Sequence, residues 1–289
     1  MPSCGISLPL RENSLFLEIK DAEFEVRHLK RKFPGTLLDS CRGLLLFYLP
    51  DPCEATLCVC NPITMQTEIL PAPFEIHRGA FRFCRIVYIS QTEEYKVICL
   101  YYDNKPLNWD VWTLGIDKEW RRLFAPTYEF EDVLSCVSVG EVVYVALYQS
   151  TILAINLFTE NTRFLQLPGE NFTVPYLLVN MKNSLCFVVK QGANVCIWML
   201  KDWEECELVK VYEMKDIFQG MDIPSDCFFS IGWLENNWLF IFKRMVSNPT
   251  QRTILMAYEV NTGKKRCLSV SDGIPSQSFQ IHSNTLVTW

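Results

Sequence analysis

The stretch at residues 132–168, DVLSCVSVGEVVYVALYQSTILAINLFTENTRFLQLP, sets the strongest limit on what this chain can fold into. It holds four short apolar runs end to end: 133–139, 142–148, 151–158 and 162–167. Gly140-Glu141, Gln149-Ser150 and Thr159-Glu160-Asn161 separate them. Runs of this length, rich in Val, Ile, Tyr and Phe and bounded by turn residues, predict β-strands. The second run is apolar on both sides of its alternation and predicts a strand covered on both faces. The fourth alternates, as an outer strand half in water does. One meander of this size cannot bury both faces alone, so it needs neighbours like itself.

The rest of the chain supplies them. The same four-run pattern recurs from residues 37, 82, 175 and 226, and half of it from residue 278. Starts near 37, 82, 132, 175, 226 and 278 lie 43 to 52 residues apart, the period of propeller blades between the WD and kelch types. A pair of β-sandwiches is the alternative, but it does not require such regular four-strand units. Residues 15–31 form the missing half, LFLEI and EFEVRHLKR. The expectation is an all-β fold: a six-bladed, kelch-like β-propeller over residues 15–289, after a flexible segment at 1–14. Its ring is closed by pairing N- and C-terminal strands, which leaves no open edge.

Charge and cysteine content narrow the function. The 289 residues carry a formal charge of −6, so no nucleic-acid partner and no anionic-membrane partner is expected. Residues 28–32, His-Leu-Lys-Arg-Lys, read as a charged outer strand rather than a phosphate patch. No apolar run reaches membrane-spanning length, and MPSCGISLPLRENS lacks the features of a signal peptide. Thirteen cysteines, with Cys84, Cys99, Cys136, Cys186 and Cys196 inside apolar runs, read as buried reduced thiols in the cytoplasm or nucleus.

Signals for chemistry are weak. His28, His77 and His282 are the only histidines, and Cys53, Cys58 and Cys60 lack the fourth ligand of a zinc site, so no metal or other cofactor is expected. There is no Gly-x-Ser-x-Gly elbow and no Gly-rich phosphate loop, and no catalytic residue is assigned. Carboxylate pairs such as Glu93-Glu94 and Glu204-Glu205 sit in turns. The chain therefore reads as a protein-interaction module rather than an enzyme. A propeller enzyme or sugar-binding protein using the central channel is the alternative, and it needs convergent polar groups at the channel mouth.

On one face of a propeller, loops join the second and third strands of a blade and join one blade to the next. Here those are residues 75–82, 103–109, 127–131, 170–173, 216–225 and 247–252. They hold His77, Arg78, Phe81, Arg82, Trp109, Tyr128, Phe130, Phe172, Phe218 and Met221. Aromatic, Arg and Met residues favour interface hot spots, so His77, Arg78, Phe81, Arg82, Trp109, Tyr128, Phe172, Phe218 and Met221 are the candidate partner-binding residues. Trp109, at the start of a strand, is expected to be partly exposed.

Several segments resemble a known family. Ser40-Cys41-Arg42-Gly43-Leu44-Leu45 resembles the S-C-N-G-L-L opening of the plant F-box-associated interaction domain. Cys60-Asn61-Pro62-Ile63-Thr64 with Leu70-Pro71 is similar to its W-N-P-x-T…L-P, and Glu94-Tyr95-Lys96-Val97 to its D-Y-K-V. Val111-Trp112-Thr113-Leu114 with Trp120-Arg121-Arg122, residues 152–168, and Ile197-Trp198-Met199-Leu200 follow in the family's order. Arg42, Cys60 and Asn156 depart from the Asn, Trp and Asp usual there. The resemblance implies a substrate-recognition propeller of a Skp1-cullin-F-box ubiquitin ligase receptor, or a remnant of one. Its partners would be target proteins held on the loop-bearing face. No amphipathic helical F-box pattern precedes the first strands, so the chain by itself is not expected to bind Skp1.

Overall fold

A computed structural model describes residues 15–20, 23–28, 35–49, 56–71, 73, 81–102, 107–123, 133–147, 151–167, 176–191, 194–202, 207–215, 229–234, 238–247, 250–259 and 262–269. Every regular element among them is a strand. A two-stranded sheet pairs β1 (Leu15–Lys20) with β2 (Glu23–His28). The first four-stranded sheet holds β3 (Thr36–Cys41), β4 (Leu44–Leu49), β5 (Thr56–Cys60) and β6 (Thr67–Pro71). The second holds β7 (Phe81–Ile89), β8 (Glu94–Tyr102), β9 (Leu107–Thr113) and β10 (Arg121–Arg122). The third holds β11 (Val133–Val139), β12 (Val142–Leu147), β13 (Thr151–Asn156) and β14 (Thr162–Gln166). The fourth holds β15 (Tyr176–Met181), β16 (Ser184–Gln191), β17 (Asn194–Asp202) and β18 (Glu207–Met214). The fifth holds β19 (Phe229–Leu234), β20 (Trp238–Ser247), β21 (Thr250–Glu259) and β22 (Lys265–Ser269).

Each four-stranded sheet is an antiparallel meander in chain order. The first strands β3, β7, β11, β15 and β19 lie against one another in sequence. This is the radial plan of propeller blades. Strand starts at Thr36, Phe81, Val133, Tyr176 and Phe229 match the repeat read from the sequence. The closing contact expected between the two ends of the chain involves residues 278–289, which lie outside the described residues.

Alternation explains how the sheets pack. On β4 and β5, Leu44, Leu46, Leu57 and Val59 face the second sheet, beside Ile86, Val97, Cys99 and Trp112. Leu45, Phe47, Leu49, Cys58 and Cys60 lie on the opposite face and are buried too. Separate apolar clusters join the second sheet to the third, through Ile98, Leu100 and Trp109 against Val143, Val145 and Leu153. Another joins the third to the fourth, through Ala146 and Ile152 against Leu178 and Phe187. Each fully buried Leu, Val or Phe contributes about 1.5–3 kcal/mol of transfer free energy.

Turn chemistry is met locally. Arg42 and Gly43 both take positive φ, 43° and 89°, in the tight β3–β4 hairpin. Asn suits such a position better than Arg, and the Arg42 guanidinium lies 4.0 Å from the Tyr88 ring centre, a contact that offsets part of the strain. At Gly35 any Cβ would collide with the Tyr48 carbonyl oxygen, so the entry to β3 requires glycine.

Two cysteines correct the expectation of reduced thiols throughout. Cys84 and Cys99 are directly opposed on β7 and β8 with Cα atoms 4.4 Å apart, and they form a disulfide. Close-spaced antiparallel pairs bring side chains nearest, which allows the bond. Cys136, Cys186 and Cys196 are buried and remain thiols; burial pushes the Cys136 thiol up to about 11 and Cys186 up to about 12.

The first strands are stitched by polar groups. Asp39 on β3 is buried, and its Oδ2 accepts the Ile86 N–H of β7 at 2.9 Å. Arg85 on β7 donates back to the Leu38 carbonyl at 3.3 Å and forward to the Cys136 carbonyl of β11 at 2.6 Å. Ser135 Oγ on β11 accepts the Leu178 N–H of β15 at 3.2 Å. Asp39→Ala removes the acceptor for a buried N–H and the carboxylate facing Arg85, so a loss of about 2–3 kcal/mol is expected. Asp39→Asn keeps an acceptor and should lose less. Paired thermal melts of the two variants test this ordering.

Candidate interaction surface

Hairpin register sorts the connections into two ends. Pairing of Lys96 with Thr113, and of Val142 with Asn156, puts residues 90–93 and 114–120 at one end, with 140–141 and 157–161 beside them. These are tight turns. At the other end Phe81 lies opposite Tyr101, and the connections between sheets leave from there: 72–80, 123–132, 167–175 and 215–228.

The structure places the candidate binding residues as follows. Phe81 and Arg82 are the first residues of β7 rather than loop, at a register shift between Phe81 and Phe83. Residues 247–252 are likewise mostly ladder, because Ser247 pairs with Thr250. His77, Arg78, Tyr128, Phe172, Phe218 and Met221 lie outside the described residues, as does Phe130. Trp109 is a correction. It is only 2% exposed and packs between the second and third sheets with Leu107 and Val111. Period-two alternation puts all three on the buried face, so Trp109 belongs to the core.

Beside it, around the middle of β9 in the second sheet, lies a polar triad that sequence reasoning missed. Tyr101 Oη donates to Asp110 Oδ2 at 2.6 Å, and Arg122 donates to both Tyr101 Oη at 2.6 Å and Asp110 Oδ1 at 3.3 Å. Burial, and the bond to Asp110, push the Tyr101 hydroxyl pKa upward. Arg122 keeps an exposed edge, where a carboxylate or backbone carbonyl of a partner can reach it.

The tight-turn end is a network between sheets. Arg121 of β10 donates to Glu160 at 2.8 and 3.3 Å, and Asp117 lies 3.8 Å away. Lys96 is buried, and its Nζ donates to the Leu157 carbonyl at 2.8 Å and lies 3.5 Å from Glu160. The Gln91 side-chain amide donates to Glu141 at 3.0 Å. Ile63, Met65, Ile116 and Phe158 are exposed at this end. A large apolar residue inside an otherwise polar turn was the signal the sequence offered for this end. Among the described residues, no three His, Cys, Asp or Glu side chains group as a metal site.

Comparison with known proteins places this architecture. The family model for the F-box associated beta propeller domain matches residues 5–289. An F-box protein of Arabidopsis thaliana is 26% identical over 183 residues, covering 58% of this chain and 45% of the relative. The chain thus spans somewhat less than half the length of that relative. Among solved structures, TolB from Acinetobacter baumannii aligns over 78% of this chain and 53% of its own, at 12% identity and a TM-score of 0.48. The β-propeller domain of Cps50 (Swd1) from Myceliophteria thermophila aligns over 86% of this chain and 90% of its own, at 11% identity and a TM-score of 0.45.

Two outcomes follow. Trp109→Ala should cost about 3–5 kcal/mol of stability, as removal of a large buried aromatic does, and is read as a lowered melting temperature. The Arg121 hydrogen bonds hold the Glu160 carboxyl below its usual range. That contribution is complete above the unfolded pKa, roughly 4.3, and is lost as pH falls through the lower folded value. Glu160→Gln should therefore melt below the wild type near neutral pH, and the gap should close on acidification.

Proposed function

From a chain that belongs to the F-box associated β-propeller family, matched over residues 5–289, we propose a target-recognition module of a Skp1-cullin-F-box ubiquitin ligase receptor. The match across nearly the whole chain carries this reading. The architecture supports it: four connections of nine to fourteen residues (72–80, 123–132, 167–175 and 215–228) converge on one end of the sheets. Such loops on a rigid scaffold are where binding residues gather. Target proteins dock on that face through His77, Arg78, Phe81, Arg82, Tyr128, Phe172, Phe218 and Met221, joined by the exposed edge of Arg122.

The module binds rather than catalyses. The polar side chains of the first strands, Asp39, Arg85 and Ser135, are engaged in holding backbone groups of neighbouring sheets. We place the protein in the cytoplasm or nucleus, where ubiquitin ligases act.

Affinity purification from plant tissue, followed by cross-linking mass spectrometry, tests the assignment. Cross-links to targets should fall on residues 75–82, 127–131, 170–173 and 216–225. Replacing Arg82 and Phe218 together with Ala should abolish target recovery with little change in melting temperature. Target recovery that survives this double change would overturn the assigned face. Residues 15–20 and 23–28 are strands, so they do not supply an adaptor-binding helix. Calorimetry of the chain with purified Skp1 should show no binding at micromolar concentration.

A further inference from the structure

The tight-turn end carries a second surface, independent of target recognition at the opposite end. Asn61 Oδ1 accepts the N–H groups of Ile63 and Thr64 at 2.8 and 3.3 Å. Asn156 Oδ1 does the same for Phe158 and Thr159, both at 2.9 Å. In the second sheet Asp117 Oδ2 accepts the Thr113 N–H at 2.7 Å. In each case a side-chain cap closes the turn through backbone N–H groups, and the side chain of the tip residue is not used in closure. Those tips are nevertheless large and apolar: Ile63 is 44% exposed, Ile116 60% and Phe158 43%, with Met65 at 63%. Single exposed apolar residues need no explanation. Here they recur in the same turn of three successive sheets, at matching positions for Ile63 and Phe158 and one position later for Ile116, which makes an arc.

The arc is preorganised and charged. Arg121–Glu160, Lys96–Leu157 and Gln91–Glu141 fix the second sheet against the third. The turns of these two sheets, with the strand residues that flank them, carry Glu93, Glu94, Asp117, Glu119, Glu141 and Glu160 against Lys96, Lys118 and Arg121. Three positive and six negative charges leave −3, half the net charge of −6 for the whole chain. Lys96 and Arg121 both turn to Glu160, so the outward charge is acidic. A second copy of this acidic chain brings the same sign and is disfavoured.

We propose that this end docks a basic amphipathic segment of a partner protein. Its apolar side lies on Ile116 and Phe158, and its Lys and Arg side chains face Glu93, Glu119 and Glu141. Because the surface is already rigid, binding orders only the incoming segment.

Fluorescence anisotropy of the full chain with a synthetic Leu/Lys amphipathic helix tests this, with a Leu/Glu helix of the same pattern as control. The Leu/Lys peptide should bind, more weakly as salt rises, and the Leu/Glu peptide should not. Ile116→Ser with Phe158→Ser should weaken binding about tenfold or more, as loss of anchor residues does. Glu93→Gln with Glu119→Gln should weaken it and flatten the salt dependence. Melting temperatures should stay near wild type, since all four side chains are exposed. Equal binding of both peptides, or unchanged affinity in the Ser variant, would overturn the proposal. So would a dimer in sedimentation that Phe158→Ser dissolves, since the arc would then serve a second copy. Target recovery through the long-connection face reads separately, so either surface can fail alone.

Discussion

The first strand of each sheet has a hydrogen-bonded partner on one side only, and everything else in this architecture depends on how its other edge is met. Side chains meet it. Asp39 takes the Ile86 N–H, Arg85 reaches Leu38 behind and Cys136 ahead, and Ser135 takes the Leu178 N–H. Asn180 adds a bond to the Ser138 carbonyl at 2.9 Å. Apolar packing alone is non-directional and would let one sheet slide over the next. These bonds fix both spacing and register where an unsatisfied buried group would be costly. Burial raises the Asp39 pKa, while Arg85 and two backbone N–H groups oppose that rise. The stitch is thus a desolvated carboxylate stabilised by its own neighbours.

Outside these stitched first strands, cohesion is distributed among interfaces. Each of the three interfaces from the first sheet to the fourth has its own apolar cluster, and a buried strand such as β12 contributes one stripe of side chains to each of its two neighbours. At the tight-turn end the second and third sheets gain an ionic clasp through Glu160, which lies between Arg121 and Lys96.

Much of this was legible in the sequence, because period-two alternation and turn residues act locally. Runs at 133–139 and 142–148 became β11 and β12 nearly residue for residue. The third run ended two residues early, at Asn156, because the Asn156 side chain caps the turn and pulls Leu157 and Phe158 out of the ladder. Trp109 was misplaced because the preceding loop was read as reaching it; the Leu107, Trp109, Val111 stripe carried the correct answer. Cys84 and Cys99 were illegible as a pair. Their opposition depends on how many residues the 90–93 turn inserts, which composition does not state. The candidate site was the least legible part, since long-range pairs such as Arg121 with Glu160 have no local signature.

The Asn-capped turns separate two things that most surfaces combine. In them the backbone is closed by Asn61 or Asn156, while the tip residue contacts water. A change at Ile63 or Phe158 therefore alters what the molecule presents without touching what holds it together. Such positions can drift under selection for new contacts with almost no penalty in folding. Copies of this scaffold can diverge at the turn tips far faster than at the stitched inner strands, and the same freedom makes the tips natural places to graft a new specificity.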